Sequence, residues 1–190
     1  MHFASTDQLA FRRAGKQDVD LIVGLVNSAY RGDSSRRGWT TEADLLGGQR
    51  TDREEVVSLI EAADSFVMIG SRGSEAVGCV HLQKAEQSAY FGMFAIKPAL
   101  QGMGIGKQFM QAAERVVQQE WDSSKMLMTV ITLRAELIAF YQRRGYRRTG
   151  ELKPFPVSER FGIPRVAGLQ LEVLEKELRP GGEPSLPASA

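Results

Sequence analysis

The spacing of apolar residues changes character along the chain. After a first strand at "QLAFRRAG", the segment "DVDLIVGLVNSAY" places Ile22, Leu25, Val26 and Ala29 at helical intervals, with Asp18 as its cap. "GWTTEADLLGG" predicts a short helical piece closed by glycines. "TDREEVVSLIEAAD" opens with Thr51 and Glu54 in capping-box spacing and carries Val57, Ile60 and Ala63 on one side of a helix. From Ser65 the pattern turns to strands. "SFVMIGS" and "AVGCVHLQKA" flank a turn near "RGSE", and "SAYFGMFAIK" follows, stopped by Pro98. "GIGKQFMQAAERVVQQEW" is the clearest helix, with Ile105, Phe109, Ala112, Ala113, Val116 and Val117 on one stripe. "KMLMTVITL" is apolar on both faces, which predicts a central strand. "AELIAFYQRR" predicts a helix ended by Gly145, and "YRRTGE" and "LQLEVLEKEL" predict late strands, the second of which also passes as a short helix. The order β-α-α-α-β-β-β-α-β-α-β-β predicts an α/β fold around a mixed sheet.

Composition sets bounds on this picture. A chain of 190 residues, 43% hydrophobic and 25% charged, suits one domain with a sizeable core. Residues 1–178 are expected to form it, and the Pro-, Gly- and Ser-rich stretch 179–190 to be a flexible tail. A formal net charge of +1 gives no reason to expect nucleic acid or a membrane as partner. The one cysteine, Cys79, cannot make an internal disulfide and reads as a small buried hydrophobe. No stretch approaches the roughly 18 apolar residues of a membrane helix. The start, "MHFASTDQLAFRRAG", lacks the apolar core of a secretory signal. A cytoplasmic protein is the expectation.

The chemistry begins at "PALQGMGIGKQF". Gly102, Gly104 and Gly106 fall where a helix starts, although Gly lowers helix stability. A strand running through a Gly-rich turn into a helix presents unpaired N–H groups and the positive end of the helix dipole, which suits an anion, most naturally a phosphate. Missing side chains would let that ligand reach the main chain. A tight turn that merely needs positive φ is the simpler reading. The run is not a Walker loop, since Gln108 stands where Ser or Thr should follow Lys107, and it is not G-x-G-x-x-G.

Gln101-Gly102-Met103-Gly104-Ile105-Gly106 matches the Gln/Arg-x-x-Gly-x-Gly/Ala signature of the GCN5-related N-acetyltransferases, and the chain resembles that family. "MFAIKPAL" is similar to the strand and Pro before the signature, and "AFYQRRGYRRTGE" to the family's motif B helix and following strand. The similarity spans roughly residues 9 to 178. It implies a single-domain α/β fold, a mostly antiparallel sheet of about seven strands flanked by about four helices. It implies acetyl-CoA as co-substrate, no metal, and direct transfer of acetyl to an amine. Main-chain N–H groups from Gln101 to Lys107 would hold the pyrophosphate. Phe94, Ala95 and Ile96 would pair with the pantetheine arm, and the Phe94 N–H would face the thioester oxygen. Tyr141 would protonate the leaving thiolate; its alternative role is to pack on the cofactor sulfur. Arg134 stands where motif B often has Asn. Homodimers occur in the family.

The resemblance names no base. His81, Glu42 and water are the candidates, with packed or exposed side chains as the simpler account of each residue. Tyr30, Trp39, Phe155 and Phe161 fall where acceptor pockets are lined, or else in the core. Arg143, Arg144, Arg147 and Arg148 would meet a 3′-phosphate or, more simply, form a solvated helix end. Against the acetyltransferase stand a catalytically silent CoA-binding or sensory module of the same fold and an enzyme that uses the glycine loop for a nucleotide. The acceptor, a small molecule, amino acid or peptide, is not legible.

Overall fold

A computed structural model describes residues 8–156 and 162–178; Phe161, His2 and the stretch 179–190 lie outside these. The elements in chain order are β1 (Ala10–Arg13), α1 (Val19–Tyr30), α2 (Gly32–Ser35), β2 (Leu46–Gly47), α3 (Arg53–Glu61), β3 (Ser65–Arg72), β4 (Glu75–Ala85), β5 (Ser88–Ile96), α4 (Ile105–Trp121), β6 (Lys125–Ile131), α5 (Ala135–Gln142), β7 (Arg147–Pro154), β8 (Ile163–Pro164) and β9 (Gln170–Glu177). Seven strands form one sheet in the order β1-β3-β4-β5-β6-β9-β7. All neighbours are antiparallel except β5 and β6, which run parallel. The expected mixed, mostly antiparallel sheet is therefore present. The apolar-on-both-faces strand β6 lies inside it, and "LQLEVLEKEL" is strand rather than helix.

Helices cover both faces. One core joins Val19, Ile22, Leu25, Val26 and Ala29 of α1 and Val56 of α3 to Val67, Ile69 and Cys79 of the sheet. The other joins Ile105, Phe109, Ala113 and Val117 of α4 and Ile138 of α5 to Val80, Leu82, Phe91 and Met128. Cys79 is fully buried, and burial pushes its thiol up to about 12.

Three local expectations are corrected. "GWTTEADLLGG" is not helical. The amide groups of Leu45 and Leu46 turn back to the Glu42 carbonyl at 2.9 Å, and Leu46–Gly47 then pairs with Ile163–Pro164. The short helix, α2, lies just before it. The cap of α3 is Asp52 rather than Thr51: the Glu55 N–H donates to Asp52 Oδ1 at 2.7 Å, while the Thr51 hydroxyl donates to the Glu55 carboxylate. Asp18 likewise caps no amide of α1. It accepts the Gly15 N–H and a two-pronged bond from Arg12, which holds its carboxyl below the usual range and ties β1 to the helix start.

The strand that matters most is β5. Between Cys79↔Ala95 and His81↔Gly92 it carries one residue more than β4 opposite, and Met93 takes φ 44°. That bulge changes the phase of the strand. Ala89 and Phe91 belong to the α4 side, Met93 and Ala95 to the α1 side, and Phe94 and Ile96 return to the α4 side. Pairing with β6 covers only Ser88 to Tyr90. Beyond Tyr90 the two parallel strands part.

Candidate active site

Two cavities meet in the gap between β5 and β6. The first, about 340 Å³, is lined by the glycine loop, Ile96, Gln101 and Lys107, the α5 residues Leu137, Phe140 and Tyr141 with Arg143 and Arg144, and Trp39 and Thr40. The second, about 280 Å³, is lined by Tyr90 to Phe94, by Met128 to Ile131, by Phe155 and by the charged residues Arg31, Glu42, Arg50, Glu55 and Arg134. Four residues line both: Tyr30, Phe94, Leu137 and Tyr141.

The glycine loop has two separate reasons for its composition. Gly102 and Gly104 adopt φ 83° and 79°, which L side chains rarely do, and the space around each is open. Gly106 instead sits where a Cβ would lie 3.2 Å from Phe140. Gly104 is the N-cap of α4 and has no side chain to satisfy the helix. The N–H groups of Gly102, Met103, Gly104, Ile105 and Gly106 donate to no carbonyl among the described residues. Those of Gln101 and Lys107 do, to Pro98 and Gly104, so the two ends of the span are engaged within the turn. Ile105 buries its side chain in the core while Met103 is exposed.

The Gln101 side chain acts as a bolt. Its oxygen accepts the N–H groups of Trp39 (2.9 Å) and Thr40 (3.2 Å); its nitrogen donates to Thr40 Oγ1 (2.7 Å) and to the Ile96 carbonyl (3.1 Å). The loop carrying Trp39 is thereby drawn over the groove, and Trp39 meets Phe140 at 5.2 Å between rings. Arg144 lies 3.4 Å above the other part of that wall, the Phe140 ring, and donates to the Phe140 carbonyl. Of the four-arginine cluster, Arg147 and Arg148 face elsewhere and pair with Glu175 and Glu172 of β9. Arg143 and Arg144 line the first cavity.

Phe94 is paired with neither neighbouring strand, and its carbonyl accepts the Tyr30 hydroxyl. Ala95 and Ile96 pair with β4 and leave their β6 side open. Tyr141 is buried, and its hydroxyl makes no hydrogen bond among the described residues. Burial raises both phenols, Tyr30 to about 12 and Tyr141 further, so both keep their protons at neutral pH. The Arg134 charge works in the opposite direction on each.

The two candidate bases part company. His81 lines neither cavity; it is 5% exposed, lies 2.9 Å from the Ser65 hydroxyl, and burial lowers it to about 4. Glu42 does line the second cavity, but both its oxygens are held, one by Arg31 at 2.5 Å and one by Arg134 at 3.3 Å. That geometry suits an anchor better than a proton shuttle. Nothing in the sequence marks Arg31, Arg50 or Glu55 as cavity residues, and Arg134 stands out there only as a departure from a motif. Gly92 was silent too. A Cβ there would lie 2.4 Å from the Tyr90 ring, which folds over it to wall the second cavity and reaches Thr129. Among the described residues no group of His, Cys, Asp and Glu gathers as metal ligands do, and no helix is long and apolar enough to cross a membrane.

A family model described as the acetyltransferase (GNAT) family matches residues 25–146. No curated protein matches in sequence. Solved structures do match in fold. The ribosomal-protein-S18-alanine N-acetyltransferase of Escherichia coli superposes with a TM-score of 0.66 at 11% identity, over 93% of this chain and 97% of the other. An IAA acetyltransferase from Bacillus cereus gives 0.63 at 16% identity, over 90% and 100%. A spermidine/spermine N-acetyltransferase from Vibrio cholerae gives 0.63 at 16%, over 91% and 94%.

Proposed function

The chain belongs to the acetyltransferase (GNAT) family, and from that premise we propose that it transfers the acetyl group of acetyl-CoA to a primary amine of a small molecule, amino acid or peptide. One observation carries the reading. Two cavities, one walled by free main-chain N–H groups and the other by charged side chains, meet among the described residues at Tyr30, Phe94, Leu137 and Tyr141.

The N–H groups of Gly102 to Gly106, at the positive end of α4, are the donors for the pyrophosphate, with Lys107, Arg143 and Arg144 at the same cavity. The open edge of β5 at Ala95 and Ile96 takes the pantetheine arm as a further strand would. Acetyl-CoA brings an activated acyl group as a thioester. The Phe94 N–H faces its oxygen and stabilises the negative charge that gathers there, a contact worth about 3 kcal/mol where it has been measured. The amine nitrogen forms the new C–N bond as the C–S bond breaks. Tyr141 gives its proton to the departing sulfur and is restored by the proton that the acylated nitrogen sheds. Its raised pKa does not defeat this, because the same dry surroundings raise the thiol as well. The ammonium proton leaves to water in the second cavity, since His81 is absent from it and Glu42 is held.

The test is the heat of binding of acetyl-CoA, CoA and ATP to the wild type and to Gly104→Glu, followed by an amine screen. The expected result is binding of acetyl-CoA and CoA, no competition by ATP, and loss of at least about a hundredfold in affinity in the variant. A side chain at φ 79° is strained, and a carboxylate there repels phosphate. Binding without acetylation of any amine would favour a silent CoA-binding module. A folded wild type that binds no acetyl-CoA would end the acetyltransferase reading.

A further inference from the structure

The second cavity carries an imbalance of charge that the transfer chemistry does not use. Among its described residues three guanidinium groups, Arg31, Arg50 and Arg134, face two carboxylates, Glu42 and Glu55. Glu42 already serves two of the three. Glu55 sits at the start of α3, accepting the Thr51 hydroxyl. Arg134 is only 9% exposed, and one 3.3 Å bond to Glu42 is the whole of its side chain's hydrogen bonding among the described residues. The Arg50 side chain forms no hydrogen bond or ion pair among them, although its backbone is fixed by Asn27. Arg134 is buried and Arg50 half-buried, both line the cavity, and neither guanidinium is among the buried groups left without a partner, so their remaining donors stay accessible to an incoming group. Their planar, forked donors match a carboxylate.

We propose that the acceptor is a carboxylate-bearing amine, an amino acid, whose carboxylate completes the arginine cluster of Arg134 and Arg50 while its amine reaches the junction of the two cavities. This rests on the acetyltransferase reading and names the substrate class for it. The spacing is consistent. Arg134, the N-cap of α5, and Tyr141 stand seven residues apart, about two turns or roughly 10 Å along the axis. Both side chains reach the same cavity. The Arg134 charge is felt at both phenols, and the Arg50 charge at Tyr30, so the cations border the reacting point rather than a distant surface. A polyamine would enter a lining with more positive than negative charge, and its ammonium groups would find the Glu42 oxygens taken. A neutral amine would supply no counter-charge to Arg50, which has none among the described residues.

The experiment compares the twenty common amino acids with their amides at saturating acetyl-CoA, following thiol release and acetylated product. The best free acid should exceed its own amide by at least about thirtyfold in kcat/KM, the fold-change expected when a buried charge pair loses one partner. Arg50→Gln and Arg134→Gln should each shrink that preference at least tenfold, and Arg134→Lys should restore part of it. Acetyl-CoA binding to each variant reports that it is folded. Amides or spermidine equal to or better than the acids would overturn the proposal, as would variants that lower acid and amide alike. If acetyl-CoA binds but no amine is acetylated, the acetyltransferase reading fails instead. The carboxylate site is then judged by melting. An acid that raises the wild-type Tm by several degrees, but not that of Arg50→Gln, supports it, and no shift with any acid overturns it.

Discussion

The two cavities are built by opposite means. The glycine-loop cavity is distinguished by its main-chain donors. Its donors come from one stretch, Gly102 to Gly106, and its strand from another, Phe94 to Ile96. The charged cavity is mostly side chain, gathered from Arg31, Glu42, Arg50, Glu55 and Arg134, with partners as far as 92 residues apart. A main-chain site answers to a ligand that does not change, and a side-chain site to one that does.

The comparison can be broken most directly at Tyr141, which belongs to both cavities. Tyr141→Phe should lower kcat by about a hundredfold or more while acetyl-CoA affinity holds within about threefold, since proton transfer typically contributes 10²–10⁴. Calorimetry and steady-state rates on one preparation check this, and an unchanged kcat would reduce Tyr141 to packing. A second experiment tests that His81 belongs to neither side. Its folded value of about 4 lies below the unfolded 6.5, so the unfolded state binds the proton first. Stability should therefore fall between pH 6.5 and 4, by about 3 kcal/mol in the limit. Denaturant midpoints across that range should flatten in His81→Gln, while turnover at neutral pH stays within about threefold. The smallest effect concerns the bolt. Gln101→Ala removes the bonds holding the Trp39 loop, and should raise the KM for acetyl-CoA about threefold to tenfold with little change in kcat. Equal loss in kcat would mean that the loop also positions the reacting groups.

This division explains what was legible in the sequence. Glycines at 102 and 104 answer a backbone requirement, which leaves its mark in residue type, and the amphipathic stripe of α4 follows as plainly. The charged cavity left no such mark. Nothing in "AYRGD" or "GGQRTD" says that Arg31 and Arg50 turn inward, because their partners are set by packing across the sheet. Glu42 is legible as a candidate base, but its two arginine partners, 11 and 92 residues away, are not. "SAYFGMFAIK" alternates so regularly that it reads as one unbroken strand, with residues 89, 91, 93 and 95 on one face. The bulge at Met93 splits that set between two cores.

That bulge gives β5 two reading frames. Up to Gly92 the strand is spelled in one, and from Phe94 in the other. A lineage can lengthen the loops around Trp39 or Phe155 and only reshape a rim. Deleting Met93 would take out the extra beat: Phe94, Ala95 and Ile96 would keep their faces, but the strand would fall into step with β4, and the unpaired station whose carbonyl accepts the Tyr30 hydroxyl would be lost.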